Sequence, residues 1–556
     1  MYLRETKRKN KNGSTVTYYQ LAENIWNKDK KYPTAKVIHN FGRAEHLDKD
    51  SLKRLARSIL RVCQGVDLVM DDLDPNLQIL TSTAYGPVAL LDGLWQKLGL
   101  QKLFGKLLEQ KDYSTPLERA IFAMVMNRCL APSSKRDSLR WMQEEIFFPE
   151  SKDIELQHLY RAMDFLYEHQ LAVEQEIYFS TANLLNLDVD LIFYDTTSIF
   201  WETEVEDEDQ DGKSGLRKRG YSKDSRPDAP QIIVGLAVTR DGYPVRSWVF
   251  SGNTADSSTI SQVKKDLSAW RLNRVIFVGD RGMISEENLA ELSRGDGRYI
   301  LGVRLRSGNE VEEVLARRGR FKEVAGNLRV KEVYYPDKDA GERRRRYIVC
   351  HNPEEEKRKK NKRGEIIKEL EAELALLNKS DKNHPKKACH LLCSHRFGSY
   401  LEQLKSGRLK IDKKKILSEE KRDGKYVLIT NDDTLSPEDV ALGYKQLLRV
   451  ESCFRDLKSD IRIRPMFHHA PHRIKAHVSL CMMALLLEHM AENACGDTWR
   501  NVRNQLSKQK MVQFFSRKKT VIQTTNPTPQ IRNIFNSLKI NLPPTIHSIT
   551  DTSKKT

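Results

Sequence analysis

Cysteine is scarce in this chain: there are 8 in 556 residues, most of them isolated in apolar or mixed surroundings. This scarcity excludes the small secreted proteins built on disulfide frameworks and favours a reducing cytoplasm. The N-terminal stretch MYLRETKRKNKNG is basic but has no apolar core, so nothing in it predicts export. No internal repeat is evident, which argues against a solenoid.

Long hydrophobic runs are also missing. The longest, HVSLCMMALLLEHM at 477–490, is interrupted by His477, Glu488 and His489. It falls short of the roughly 20 apolar residues that cross a bilayer. We therefore predict a buried helix and no membrane partner.

Acidic residues are outnumbered, since 76 Asp and Glu face 94 Lys and Arg, for a net charge of +18. Basic side chains release counterions from phosphates, so the expected partner is a polyanion, with nucleic acid first. The alternative is that the basic balance only keeps the protein soluble. The length suggests about three or four structural units.

Hydrophobic periodicity divides the N-terminal part in two. Residues 1–80 predict a small β/α unit with probable DNA contact, because β-branched and aromatic residues in 14–42 are typical of two or three strands around a turn at Asn27–Pro33. Residues 81–187 have the apolar spacing of helices and predict a helical domain.

Strand periodicity begins in residues 188–305. The stretches LDVDLIFYDTTSIFW, PQIIVGLAVTR, YPVRSWVF, RVIFVGDRG and RYILGVRLR predict strands in the order β-ββ-α-β-α-β. Asp241-Gly242 predicts a hairpin, and Thr259-x-x-Gln262 resembles a capping box. Glycine, serine and charge blocks in residues 202–228 indicate a mobile loop.

Charge runs mark residues 306–430, among them GERRRRY and EEEKRKKNKRGE, and predict an inserted, highly basic subdomain. In residues 431–500, Ser436-Pro437 is expected to begin one long helix, SPEDVALGYKQLLRVESCFRDLKSD. Residues 501–556 are expected to be a C-terminal tail.

Two aspartates stand out in the predicted strands. Asp195 interrupts the apolar run LIFYDTTSIFWE, where a carboxylate is costly unless something compensates it, and Asp280 ends a later strand. Parallel neighbouring strands would bring both to one sheet edge, where α/β folds place ligands. Two close carboxylates repel unless a cation lies between them, and hard oxygen ligands select Mg²⁺ or Mn²⁺.

The predicted long helix offers a third carboxylate. Tyr444, Glu451 and Lys458 recur every seven residues and stay on one face, and Arg455 shares that face four residues after Glu451. Such a face fits a site for phosphates and a metal. The alternative is a solvated helix with a Glu–Arg pair.

The segments YDTTS, VGDRGM and GYKQLLRVESCFRDLK carry Asp195, Asp280 and Glu451 and resemble the Asp-Asp-Glu signature of insertion-sequence DDE transposases. They most resemble the branch with a Tyr-x2-Arg-x3-Glu-x6-Lys signature, although Leu447 stands at the arginine position. The resemblance extends over SGNTAD and IRPMFHHAPHRIKAHVSLCMMALLLE, from about 188 to 490. It implies an α/β fold: a ribonuclease H-like catalytic core, interrupted by a β-rich basic insertion and preceded by a small β unit and a helical domain.

The resemblance also implies a chemistry, phosphoryl transfer with two Mg²⁺ or Mn²⁺ ions about 4 Å apart. Asp195 would bridge both ions, while Asp280 and Glu451 would each hold one. Arg455 is a better substitute for the signature arginine than Arg449, which lies on another side of the helix. The residues expected to hold the DNA backbone are Tyr444, Arg455, Lys458 and Arg464.

The same resemblance gives the insertion a role in gripping the transposon end through its basic runs. In such proteins an aromatic residue of the insertion can stack on a displaced base, worth roughly 1–3 kcal/mol per base. No tryptophan occurs between 271 and 498, so Tyr334, Tyr335 or Tyr347 would have to serve. Packing in a sheet is the alternative for all three.

Two further clusters suggest metal ligands. Cys389, Cys393 and His395 have the residue types of a zinc site, but no second ligand pair follows at finger-like spacing, so chance clustering is favoured. Pro471 interrupts any helix through the second cluster, which favours loop structure or DNA backbone contacts for its members, His468, His469, His472 and His477.

We therefore expect a bacterial cut-and-paste transposase, cytoplasmic and associated with the nucleoid. It would act as a homodimer on the terminal inverted repeats of its element and on target DNA. One alternative is a metal-dependent nuclease that transfers no strand. The other is a non-catalytic DNA-binding derivative.

Overall fold

A computed structural model gives the fold of the chain. Its residues cluster into two compact units: one is Met1–Thr81 with Gln513–Ile522 and Ser548–Thr556, and the other is Ser82–Val512 with Gln523–His547. The residues that the structure describes are 2–10, 13–27, 32–48, 50, 52–56, 59, 77–109, 116–185, 190–209, 212, 214–270, 275–306, 309–336, 344–379, 385–516 and 519–551.

The first unit contains an antiparallel sheet of three strands, β1 (Tyr2–Lys9), β2 (Thr15–Asn27) and β3 (Tyr32–Arg43). Strands β2 and β3 confirm the prediction from the β-branched and aromatic content of 14–42. Their register reaches Asn27 opposite Tyr32, and residues 28–31 of the predicted turn lie outside the described residues.

The helical periodicity of 81–187 is confirmed. Strand β4 (Gln78–Ala84) is followed by six helices: α1 (Gly86–Lys97), α2 (Leu100–Glu109), α3 (Leu117–Leu130), α4 (Lys135–Glu144), α5 (Leu156–Glu168) and α6 (Gln170–Leu185). Helix α3 is buried on nearly all sides, which is typical of a helix at the centre of a core. Trp95 packs against it through Phe122, with ring centroids 5.5 Å apart.

The second unit is dominated by strands that begin after the helices. They are β5 (Asp190–Phe200), β6 (Gln231–Val238), β7 (Pro244–Ser251), β8 (Val275–Gly279), β9 (Arg298–Val303), β10 (Lys322–Ala325), β11 (Leu328–Pro336), β12 (Arg344–His351), β13 (Leu401–Gln403), β14 (Leu409–Ile411) and β15 (Lys425–Thr430). Nine of them form a mixed sheet in the order β10-β11-β12-β15-β9-β8-β5-β6-β7, and β13 pairs with β14 in a separate two-stranded sheet. Strand β5 pairs in parallel with β8, and β8 pairs in parallel with β9, while the other neighbours in the nine-stranded sheet are antiparallel.

The predicted order of elements is confirmed between β5 and β9, with α7 (Ile260–Ser268) and α8 (Glu286–Ser293) where helices were expected. Gly242 takes a φ of +87° in the turn of the β6–β7 hairpin, a conformation that favours glycine. The predicted capping box is wrong. The Thr259 hydroxyl instead donates to the Asp256 carbonyl and accepts from Tyr194, so it does not cap α7.

The segment 306–430 differs from the expected β-rich insertion. Its described residues include more helix than strand, and one helix has 27 residues. Strands β11, β12 and β15 also continue the main sheet beyond β9, with Leu428 opposite Gly302, instead of forming a sheet of their own. The helices are α9 (Asn309–Ala316), α10 (Pro353–Lys379), α11 (Pro385–Cys393) and α12 (Lys413–Arg422).

The single long helix predicted after Ser436 is wrong, since the structure has two, α13 (Pro437–Lys445) and α14 (Leu448–Ser459). Ser436 caps the first, as predicted. Between them the backbone tightens to i→i+3 hydrogen bonds, such as Leu447 N–H to the Tyr444 carbonyl, and this ends α13. The seven-residue spacing therefore does not place Tyr444 and Glu451 on one helix.

Helix α15 (Pro471–Cys495) passes through the core and contains the apolar run seen in the sequence. It has 25 residues and is apolar enough, by length and composition alone, to cross a membrane, but 83% of its apolar window is buried inside the protein. Core helices of soluble proteins pass the same test. Cys453 of α14 and Cys481 of α15 are buried core residues.

The segment expected to be a C-terminal tail is folded. Ile531 and Phe535 are fully buried in the main core. The elements of this segment are α16 (Trp499–Leu506), β16 (Lys510–Ser516), β17 (Lys519–Thr524), α17 (Pro529–Ser537) and β18 (Ile546–Asp551).

Candidate active site

Two aspartates lie side by side on neighbouring parallel strands. In the pairing of β5 with β8, Tyr194 lies opposite Gly279, so the residues that follow, Asp195 and Asp280, are adjacent. Tyr194 is held by a 2.9 Å hydrogen bond from its hydroxyl to Thr259. The sequence predicted this juxtaposition from the strand pattern.

The Asp195 carboxylate is in a strained electrostatic setting. Its side chain is 19% exposed, and burial raises its pKa to about 6. The Asp280 and Asp256 carboxylates also raise the pKa, while the Lys223 ammonium and the Thr196 N–H, which donates to Oδ1 at 2.7 Å, lower it. Extra positive charge at this position would therefore be favourable.

Lys223 supplies part of that charge from the loop after β5. Its Nζ donates to the Thr196 carbonyl at 2.7 Å and to the Thr196 hydroxyl at 2.8 Å. It lies 3.1 Å from Asp256 Oδ2 and 3.8 Å from Asp195 Oδ1. The Thr196 hydroxyl in turn donates to Asp256 Oδ1 at 2.5 Å. Sequence reasoning missed Lys223 and Asp256 as site residues, because neither stands in a periodic element that would reveal its neighbours.

Tyr444 contacts the second aspartate. Its hydroxyl lies 3.3 Å from Asp280 Oδ1 and donates to it, and burial together with the Asp280 charge raises the pKa of Tyr444, which keeps the hydroxyl protonated. Gly302 on β9 makes room for the ring, since a Cβ there would lie 2.1 Å from the Tyr444 hydroxyl oxygen. The predicted phosphate contact of Tyr444 is thus, in this arrangement, a contact to a carboxylate.

Glu451 is exposed and opens into a cavity of about 1230 Å³ that Asp280 and Tyr444 also line. Nine basic and five acidic side chains line this cavity, several of them from the segment 306–430. The excess of positive charge suits a polyanion. The basic lining residues are Arg281, Arg304, Arg306, Lys359, Lys362, Arg363, Arg422, Lys425 and Lys445.

Lys458 and Arg464 meet on one carboxylate. Asp224 accepts from Lys458 Nζ at 2.8 Å through Oδ1 and from Arg464 Nη1 at 2.9 Å through Oδ2. The fourth residue predicted to hold DNA, Arg455, is exposed, and the hydrogen bonds it makes in the described part of the chain are local, to Ser452 and Ser459. The structure therefore brings Lys458 and Arg464 together and not Arg455.

The oxygen ligands at the strand ends fit a hard divalent cation, because adjacent carboxylates there carry negative charge that the surrounding positive charge does not fully balance. Asp195 and Asp280 are the residues that could hold it. Nowhere in the described ranges do three His, Cys, Asp or Glu side chains come close enough to share one ion. The metal-binding role of Glu451 thus stays a prediction.

The basic runs of the insertion divide into two kinds. Arg345 binds Glu286 and Glu310, and the buried Arg346 pairs with Glu332 and donates to the Asp432 and Leu435 carbonyls. These two arginines hold the protein itself together, contrary to the expectation that the whole run grips DNA. The run on α10 differs, since Lys359 and Lys362 line the cavity.

Of the three tyrosines considered for base stacking, two are core residues. Tyr335 donates to Glu313 at 2.8 Å and Tyr347 donates to Glu310 at 2.7 Å, and both rings are buried. Sheet packing is thus the correct interpretation for them. Tyr334 is 40% exposed and stays a candidate.

The histidine and cysteine clusters do not form metal sites among the residues described. His468 packs on Tyr160 and His477, His469 contacts Arg217, His472 pairs with Asp164, and His477 bonds the Ile463 carbonyl. Cys389 and Cys393 are exposed on α11, without the third nearby ligand that a site would need in the described part of the chain.

Stability should depend on pH through Asp195. Its folded pKa of about 6 exceeds the unfolded value near 4, so the folded protein holds an extra proton between these pH values. The free energy of unfolding therefore falls as pH rises through this window, by about 3 kcal/mol. We expect Asp195→Asn to gain stability relative to the wild type at pH 7.5 but not at pH 4, in urea unfolding with a chelator. Parallel pH profiles of the two proteins would contradict this.

Comparison with known protein families gives two matches. Residues 216–487 match the transposase DDE domain, and this range includes Asp280 and Glu451 but begins after Asp195. Residues 3–69 match the N-terminal domain of IS1634 family transposases. The two ranges together span more than half of the chain, which belongs to the DDE transposases of insertion sequences. It is a DNA transposase.

Solved structures of transposases are among its structural neighbours. The piggyBac transposase synaptic complex with hairpin DNA is 10% identical, with a TM-score of 0.33 over 76% of this chain and 79% of that one. The Mos1 mariner paired-end complex with Mn is 12% identical, with a TM-score of 0.14 over 45% and 67%. No curated protein matches the chain.

Proposed function

We propose that this transposase cleaves DNA at the ends of its own element and joins the freed 3′ ends to target DNA, by cut and paste. The proposal depends on one observation: Asp195 and Asp280 are adjacent on parallel strands, next to a basic cavity that Glu451 also lines. Paired carboxylates beside a positively charged cavity suit metal-assisted phosphoryl transfer on DNA.

The sheet supports a ribonuclease H-like catalytic core. Strands β7, β6 and β5 are consecutive and antiparallel, and β8 and β9 follow in parallel on the other side of β5. This arrangement puts the two aspartates at the centre of the core. The strands from 306–430 extend it beyond β9.

In this proposal Asp195, Asp280 and Glu451 hold two Mg²⁺ or Mn²⁺ ions. When bound, such ions would activate a water or a DNA 3′-hydroxyl and would stabilise the leaving oxygen. Tyr444 orients the Asp280 carboxylate through its hydroxyl, and it would also contact the DNA backbone. Glu451 must approach the aspartates from the cavity wall, which we assign to the DNA-bound state.

DNA contact is proposed for Lys458 and Arg464 near the cleaved bond, for Arg455 farther along α14, and for the basic lining of the cavity. The N-terminal unit would recognise the inverted repeats. Pairing of two ends calls for a homodimer. The enzyme would work in the bacterial cytoplasm on nucleoid DNA.

A supercoiled plasmid carrying the two ends of the element tests the function. Incubated with the protein and Mg²⁺ and a target plasmid, it should yield excised DNA and then joined products, and chelation should abolish both. Cleavage without joining would instead show a nuclease. Tight binding without cleavage in Mg²⁺ or Mn²⁺ would show a non-catalytic DNA-binding protein.

A further inference from the structure

We infer that Asp224 is a positioning residue, which holds Lys458 and Arg464 in the geometry that grips one DNA phosphate. This inference rests on the proposed function. The two oxygens of a single carboxylate bind the two basic groups, at 2.8 Å and 2.9 Å. Lysine and arginine have long, rotamer-rich side chains, so a fixed partner removes disorder before DNA arrives.

The charges leave this group able to bind an anion. One carboxylate faces two cations, so a unit of positive charge remains after pairing. The side chains of Asp224, Lys458 and Arg464 are 15%, 18% and 28% exposed, so the group is sheltered but open to a ligand at its rim. Partial shelter strengthens the attraction to a phosphate because the surrounding solvent screens it less.

Asp224 is itself held rigidly. The Lys223 N–H donates to the Ser198 hydroxyl at 2.9 Å, and the Ser222 hydroxyl accepts from the N–H groups of Asp224 and Arg226. Ser225 takes a φ of +58°, a conformation that few non-glycine residues adopt. A loop anchored in this way can fix the direction of the carboxylate.

Lys223, the residue before Asp224, contacts the half of the site that contains Asp195. Lys223 reaches Thr196, Asp256 and Asp195, while Asp224 reaches α14 and Arg464. Two consecutive residues thus join the strand that carries the first metal ligand to the group proposed to hold the phosphate. Their fixed separation sets where a DNA phosphate lies relative to Asp195.

The test is a double-mutant cycle with Asp224→Asn, Asp224→Ala, Lys458→Met and the pair Asp224→Ala/Lys458→Met. Single-turnover cleavage in Mg²⁺ is measured at saturating DNA, and DNA affinity is measured separately by fluorescence anisotropy across salt concentrations. The matched control is Asp92→Asn, because Asp92 also binds two side chains, Arg119 at 2.7 Å and Gln96 at 2.8 Å, through separate oxygens.

We expect Asp224→Ala to slow cleavage about 10- to 100-fold, as misplaced groups do, with DNA affinity changed less than about 3-fold since the cations remain. Asp224→Asn, which keeps one acceptor, should lose less. Lys458→Met should cost little more once Asp224 is gone, because residues that share one interaction are non-additive. Asp92→Asn should cleave as the wild type does.

Two outcomes would overturn the inference. Tighter binding and faster cleavage in Asp224→Ala would mean that Asp224 masks the cations, and additive losses in the cycle would mean that it acts independently of Lys458. If the wild type binds but does not cleave, the proposed function fails as a whole. If the wild type cleaves and the Asp224 variants match Asp92→Asn, this inference alone fails.

Discussion

Asp195→Asn should abolish DNA cleavage, with a fall of at least about 1,000-fold, equivalent to roughly 4 kcal/mol of transition-state stabilisation. Asparagine keeps the shape of the side chain and its bond from the Thr196 N–H, but it loses the charge that a divalent cation needs. DNA binding in a chelator should stay within about twofold of the wild type, because the side chain adds no positive charge. Gel-based cleavage and anisotropy measure the two effects.

The matched control is Asp241→Asn, an exposed aspartate in the β6–β7 turn. It should cleave at the wild-type rate. Thermal unfolding gives a second readout: Mn²⁺ should raise the melting temperature of the wild type but not that of Asp195→Asn, because only the former retains the carboxylate pair. Cleavage by Asp195→Asn at a tenth of the wild-type rate would remove Asp195 from the proposed metal site.

Gly302→Ala should displace Tyr444 in the active site. The added methyl group would lie 2.1 Å from the Tyr444 hydroxyl oxygen and 2.8 Å from Cζ, so the ring must move away from Asp280. We expect a loss of about 1–3 kcal/mol in the free energy of unfolding, as in other overpacked sites. A displaced active-site group should lower the cleavage rate about 100-fold.

Gly443→Ala is the matched control on α13. Its Cβ would lie 3.6 Å from Ile300 Cδ1, an ordinary contact, and alanine favours a helix by up to about 1 kcal/mol. Tyr444→Phe removes the hydroxyl but keeps the ring, so it tests the hydroxyl alone. It should slow cleavage without lowering the free energy of unfolding. Wild-type cleavage by Gly302→Ala would show that the position of Tyr444 does not matter.

The parts of the site that follow from the sequence are those set by strand periodicity. The apolar runs around Asp195 and before Asp280 define β5 and β8, and the helix between β7 and β8 makes their parallel pairing the natural connection. Gly242 marked the hairpin turn for the same local reason. Local sequence pattern was enough to predict the structure wherever the next element in the chain determines which strands lie side by side in the sheet.

Long-range contacts account for what the sequence did not reveal. The break at Leu447 depends on backbone hydrogen bonds that no residue type signals, and heptad spacing wrongly predicted continuity there. Lys223 and Asp224 lie in a segment whose charges are typical of a solvated loop, yet tertiary contacts tie them to β5 and α14. Likewise nothing in residues 425–430 shows that this strand pairs with β9.

That last pairing affects how the protein must be made. Because β15 completes the sheet next to β9, a nascent chain cannot cover the edge of β9 until residue 430 has left the ribosome. Until then β9 presents an open row of backbone donors and acceptors, a template for aggregation. Excising 306–430 to obtain a minimal nuclease would leave the same edge bare, so truncated versions should be insoluble where the full-length enzyme is not.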